Sequence, residues 1–162
     1  MPYQETMAIK QKLNSLDQKE LVGNILSFDF GEKRIGVAVG NNLTKSSHPL
    51  ETINTPLNSD RYKIIEKLIQ IWSPIHIVIG LPLNDDGSIS KMSLLAKKFA
   101  NKLKNKFNLS FSLVDERYTS TEAESILKIT QKNFKKRKLV LDQVAAQIIL
   151  ESYFERDHHE LT

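Results

Sequence analysis

Residues 25–40 read ILSFDFGEKRIGVAVG, and this stretch decides the fold. ILSFDF is a short apolar run rich in strand formers, the composition of a buried strand. Gly31-Glu32-Lys33 supplies a turn, and IGVAVG (35–40) returns as a second strand, so the two form a hairpin. Asp29 interrupts the first strand between Phe28 and Phe30. A carboxylate there is costly unless a cation or hydrogen-bond donors compensate it.

Outward from this hairpin, a short strand is expected around Leu50–Ile53. Asn58-Ser59-Asp60 offers N-caps for a helix through Ile64, Ile65, Leu68, Ile69 and Trp72, which Ser73-Pro74 stops. HIVIG (76–80) has the length and Ile/Val content of a central parallel strand. Ser90 can cap a helix whose apolar residues are Met92, Leu95, Ala96, Phe99 and Leu103, with lysines opposite. LSFSLV (109–114) alternates and reads as a strand. Thr119 with Glu122 fits a capping box opening a helix through Leu127. The basic run 130–138 reads as a loop or frayed helix end, and Asp142–Phe154 as the last helix. Three strands, helix, strand, helix, strand and helices make an α/β domain, a mixed sheet with helices on its faces. The domain is expected over 24–156. Residues 1–23 lack a convincing period and read as a mobile or accessory extension, in which Met7 is an alternative start; 157–162 form a polar tail.

The 162 residues suit one domain, and 40% hydrophobic with 26% charged residues is ordinary globular composition. The absence of cysteine excludes disulfides, thiol catalysis and Cys-ligated metals. No apolar run approaches the ~20 residues of a membrane helix, and the polar start carries no secretory h-region. A soluble, cytoplasmic protein is expected. The net charge of +4 is small but segregated: residues 91–106 hold six lysines, and 128–138 hold five lysines and an arginine, neither stretch with an acid. Such faces attract polyanions through counterion release, or are merely solvated.

Three acids fall at or near the ends of elements: Asp29, Glu116 after FSLV-Asp115, and Asp142 after Leu139-Val140-Leu141. Converging carboxylates repel unless divalent cations sit between them, and hard oxygen ligands select Mg²⁺ or Mn²⁺. A pair of such ions is a standard device for phosphodiester hydrolysis. Simpler roles exist for two of them. Asp142 could be an N-cap, and Glu116 could pair with Arg117 or Lys33.

Four blocks in order resemble one family: Asp29-Phe30-Gly31 with Lys33-Arg34-Ile35-Gly36; Gly80-Leu81-Pro82; Asp115-Glu116-Arg117 with Thr119 and Glu122; and Asp142 with Ala145-Ala146. Over residues 25–154 the chain resembles the YqgF family, also called RuvX, of pre-16S rRNA nucleases and Holliday-junction-resolvase-like proteins. The resemblance implies a ribonuclease-H-like fold with a five-stranded mixed sheet of order 3-2-1-4-5. It implies that Asp29, Glu116 and Asp142 occupy the family's metal-binding, catalytic positions for Mg²⁺ or Mn²⁺. The implied activity is 5′-end maturation of pre-16S rRNA, with branched-DNA resolution as the alternative. The chain departs from the family pattern at Gly40-Asn41, at Ser120 and at Ser88–Lys91.

Around these acids, Lys33, Arg34 and Arg117 could contact phosphates, and Lys135, Lys136, Arg137 and Lys138 could reach a nucleic-acid backbone. Gly31 and Gly36 supply turn geometry and packing room; Ala145 and Ala146 let the last helix approach the sheet. His48 and the pair His158-His159 look incidental. A kinase of the actin or hexokinase type would need two such domains, and a noncatalytic nucleic-acid-binding module would not need Asp29. Monomer and homodimer are both open.

Overall fold

The computed structural model describes residues 21–116 and 134–160, and only the backbone of 134–137 and 157–160. Five strands, β1 (Asn24–Phe30), β2 (Ile35–Asn41), β3 (Ser47–Ile53), β4 (His76–Leu81) and β5 (Phe111–Asp115), form one sheet in the order β3-β2-β1-β4-β5. β1 pairs antiparallel with β2, and β2 with β3, while β1–β4 and β4–β5 are parallel. This is the order expected above. Among the described residues the helices are α1 (Asn58–Trp72), α2 (Lys91–Phe107) and α3 (Phe134–Glu160). None of them is long and apolar enough to cross a membrane.

The period of two along each strand sorts side chains onto two faces. Leu26, Phe28, Ile35, Val37, Ile77 and Ile79 pack against Ile65 and Leu68 of α1 and Ala96, Phe99 and Leu103 of α2. The opposite set, Ile25, Val78 and Val114, packs against Ile149, Leu150 and Phe154 of α3. On that second face β2 presents small residues, Gly36, Ala38 and Gly40. A Cβ on Gly36 would lie 1.9 Å from the Asp142 carbonyl oxygen, and one on Gly40 would lie 2.8 Å from a Leu150 methyl. Neither glycine has positive φ. Their role is space, which lets the α3 backbone rest on the strand. Ala145 and Ala146 are buried at the same contact, and the Ser27 hydroxyl donates to the Ala146 carbonyl at 2.6 Å.

Three boundaries differ from the sequence reading, each for a local reason. β3 starts at Ser47 rather than Leu50. Pro49 disguises the strand, yet is tolerated because β3 is an edge, with a register shift opposite it at Val37/Ala38. Asn58, Ser59 and Asp60 lie inside α1. The N-cap is Leu57, extended and without a side-chain cap, and the start is held instead by the buried Arg61, whose Nε donates to the Thr55 carbonyl at 2.6 Å. Finally, α3 begins at Phe134, so the run Lys135–Lys138 is helix and Asp142 sits in the third turn, not at an N-cap. FKKRKLVL contains no Gly or Pro, and its Lys, Arg and Leu residues are strong helix formers. Ser90 caps α2 as expected, accepting from the Ser93 N–H at 3.0 Å. α1 ends at Ser73 with φ 44°. The extension 1–20, Arg117 and the Thr119–Glu122 capping box with its helix lie outside the described residues.

Candidate active site

Asp29 is the penultimate residue of β1 and stands opposite Gly36. Opposed residues share a face, so Asp29 lies on the α3 side, where the helix backbone meets the sheet at Asp142. Glu116 follows β5 and prolongs its ladder, its N–H donating to the Leu81 carbonyl at 3.2 Å. Gly80 makes room for it, since a Cβ there would lie 2.4 Å from Glu116 Oε2. One glycine thus admits the helix that carries Asp142, and the other admits the Glu116 carboxyl.

Asp29 and Glu116 are hydrogen-bonded to each other. Burial pushes the Asp29 pKa up to about 6; the bond from Glu116 opposes the rise, and the Asp142 charge adds to it. Glu116 is pushed up to about 9, by burial first, then by the Asp29 charge, the hydrogen bond to Asp29 and the Asp115 charge. The two carboxyls therefore titrate as a pair, and burial with mutual repulsion holds one proton between them at neutral pH. Asp142 has a different partner: its Oδ2 accepts from Arg34 Nε at 2.7 Å. An open cavity of about 400 Å³ is lined by Asp29, Lys33, Arg34, Met92 and Asp142, with the Phe30–Glu32 turn.

The structure brings together Asp29, Glu116, Asp142, Lys33 and Arg34. Glu116 is bonded to Asp29, the residue with which it was expected to share a metal; Arg117 or Lys33 had been the alternative partner. Arg34 is bonded to an acid, where a phosphate contact was expected. Lys138 is exposed on α3, Lys135, Lys136 and Arg137 lie in its opening turns, and Arg117 lies outside the described residues. One residue escaped the sequence reading. Arg61, 3% exposed, donates to the carbonyls of Thr55 (2.6 Å), Gly31 (2.9 Å) and Glu32 (2.7 Å), and its guanidinium stands 5.7 Å over the Phe30 ring. It clamps the turn that follows Asp29. Its signal was a charged residue on the apolar stripe of Ile65, Leu68 and Trp72.

The donor set is hard carboxylate oxygen throughout, which suits Mg²⁺ or Mn²⁺. Among the described residues, no three acidic or imidazole side chains are arranged to hold one ion jointly; Asp142 is engaged by Arg34. One proton on the Asp29–Glu116 pair and the Arg34 guanidinium offset two of the three carboxyl charges and leave one, and both are replaceable by a cation.

A family model described as "RuvX: Holliday junction resolvase" matches residues 23–156. A Dechloromonas aromatica protein named "Putative pre-16S rRNA nuclease" is 49% identical over 138 residues, 85% of this chain and 94% of that protein. A Nitrosomonas europaea protein of the same name is 40% identical over 136 residues, 84% and 92% of the two chains. Among solved structures, Thermus thermophilus RuvC in complex with a Holliday junction substrate superposes with a TM-score of 0.50 at 11% identity, covering 84% of this chain and 96% of that one. That likeness is one of fold, the ribonuclease-H-like sheet. With the family match spanning the whole sheet and α3 as far as residue 156, the chain belongs to the RuvX family.

Proposed function

We propose that the protein is a divalent-metal-dependent nuclease that matures the 5′ end of pre-16S rRNA. The observation that carries the reading is the buried, hydrogen-bonded Asp29–Glu116 pair, with Asp142 beside Asp29 on the wall of the adjoining cavity. Acids gathered this closely in a desolvated corner favour a hard cation over mutual repulsion. Asp29, Glu116 and Asp142 would hold Mg²⁺ or Mn²⁺, which when bound supplies Lewis acidity and an activated water for phosphodiester hydrolysis. Lys33 and Arg34, on the same cavity, would orient the scissile phosphate. Arg117 and Lys135, Lys136, Arg137 and Lys138 would grip flanking backbone. The domain doing this work is 24–156, acting in the cytoplasm, where the ribosome is made.

The substrate follows the name shared by relatives that cover most of the chain. The family model's own description favours a second reading, resolution of branched DNA by the same acids. Side-by-side cleavage of a precursor rRNA leader and a four-way DNA junction with Mg²⁺ tests both. Cleavage of the leader, lost in Asp29→Asn, is the expected result; cutting of the junction alone would favour the second reading, and cutting of neither would refute both.

A further inference from the structure

α2 carries six of its chain's lysines and no acid, and the active-site reading leaves them unused. At about 100° per residue, Lys91, Lys98, Lys102 and Lys106 fall within roughly 80° of arc on one side of the helix. All four are exposed. The rise of ~1.5 Å per residue spreads them over about 22 Å. A duplex carries one phosphate per ~1.7 Å of axis, both strands counted, so about a dozen lie along this length and those on the near side face the lysines. The stripe starts at the site: Met92, next to Lys91, lines the cavity with Asp29 and Asp142. Its far end is anchored as well, since Lys106 Nζ stands 4.9 Å over the ring of Tyr62, the neighbour of the Arg61 clamp. The helix that presents it is capped reciprocally by Ser90 and Ser93 and buries Phe99 and Leu103 in the core.

We infer that this face of α2 is a track for the phosphate backbone of a double-stranded arm of the substrate leaving the cavity. The inference rests on the nuclease reading and adds a substrate preference to it, for structured over single-stranded nucleic acid. Lysine suits the role because an unbranched ammonium neutralises phosphate without reading sequence.

The test is equilibrium binding without metal, so that nothing is cut, of a labelled RNA stem of about 20 base pairs with a single-stranded 5′ tail, across a salt series. The variant Lys98→Ala/Lys102→Ala/Lys106→Ala should bind it at least tenfold more weakly near ~100 mM salt, with the log–log salt slope shallower by about 2–3. Its affinity for the tail alone, and its melting temperature, should be unchanged, and Lys→Arg at the same positions should restore stem binding. A charge-matched control, Lys45→Ala/Lys63→Ala/Lys67→Ala, removes exposed lysines outside the track, two of them interleaved with Asp60 and Glu66; it should cost less than about twofold. Wild-type-like stem binding by the α2 variant, or equal losses in both variants, would overturn the track. So would loss of binding to anionic phosphatidylserine vesicles with stem binding intact, which would assign the face to a membrane surface. Failure of the wild type to cleave, with the stem result as expected, would remove the nuclease reading and leave a structured-RNA-binding face.

Discussion

The two faces of the sheet are built from different chemistry. Toward α1 and α2 the strands present Leu26, Phe28, Ile35, Val37, Ile77 and Ile79, and Phe28 and Phe30 pack on Phe99 with ring centroids 5.7 and 5.0 Å apart. Toward α3, beside the smaller apolar set Ile25, Val78 and Val114, they present Ser27, Asp29, Gly36, Ala38, Gly40 and Gly80. The first face fills volume and supplies the larger share of the apolar burial on which stability depends. The second gives up volume so that the α3 backbone can lie close, which brings Asp142 to the wall of the cavity that Asp29 also lines. Side-chain parity on one backbone therefore gives the larger core to one face and the candidate site to the other.

The separation can be broken from either side. On the α3 face, Asp29→Asn should lower metal-dependent cleavage by about 10³-fold or more while circular dichroism stays native; undiminished turnover would dissolve the site. On the other face, Phe28→Ala should cost about 3–5 kcal/mol of stability by denaturant titration, with cleavage per folded molecule little changed. Gly36→Ala inverts that pattern. Its methyl meets the Asp142 backbone, so we expect about 1–3 kcal/mol of destabilisation with a disproportionate loss of cleavage per folded molecule, because α3 must withdraw and take Asp142 with it.

Smaller effects sharpen the electrostatics. Both Asp29 and Glu116 have folded-state pKa values above their ordinary ones. The folded protein then binds protons more tightly than the unfolded chain. Their contribution to stability is full below about pH 4 and is lost as pH rises through about 6 and then about 9. Melting temperatures in chelator should show this decline from acid to alkali, Glu116→Gln should remove much of it, and saturating Mg²⁺ should offset it. Finally, Arg34→Gln frees Asp142 of its counter-cation. Mg²⁺ affinity by calorimetry should rise about tenfold, even if phosphate positioning suffers; weaker metal binding would show that Arg34 orients Asp142 for the ion rather than competing with it.

Much of this was legible in the chain. ILSFDF and IGVAVG declare a hairpin because short apolar runs around a Gly-Glu-Lys turn have few other outcomes, and HIVIG between two helical patterns leaves a parallel strand little choice. Asp29 stood out because nothing else explains an acid between two phenylalanines. The pairings were not legible. Side-chain parity can place Glu116 and Asp29 on one face, but only the parallel register of β4 and β5 beside β1, with Gly80 between the two acids, brings them into contact. The start of α3 was obscured because a run of lysines is read as solvated loop when no cap marks the helix. Arg61 was hidden because backbone carbonyls, its acceptors, leave no trace in a list of charges.

The bond from Ser27 to Ala146 joins residues 119 positions apart, and Asp142 belongs to the same last helix. A chain still leaving the ribosome, with β1 to β5 made but α3 not yet docked, holds Asp29 and Glu116 without their third companion. Long-range closure of this kind comes late and slowly. The proposed metal centre is therefore complete only once α3 has docked on the sheet.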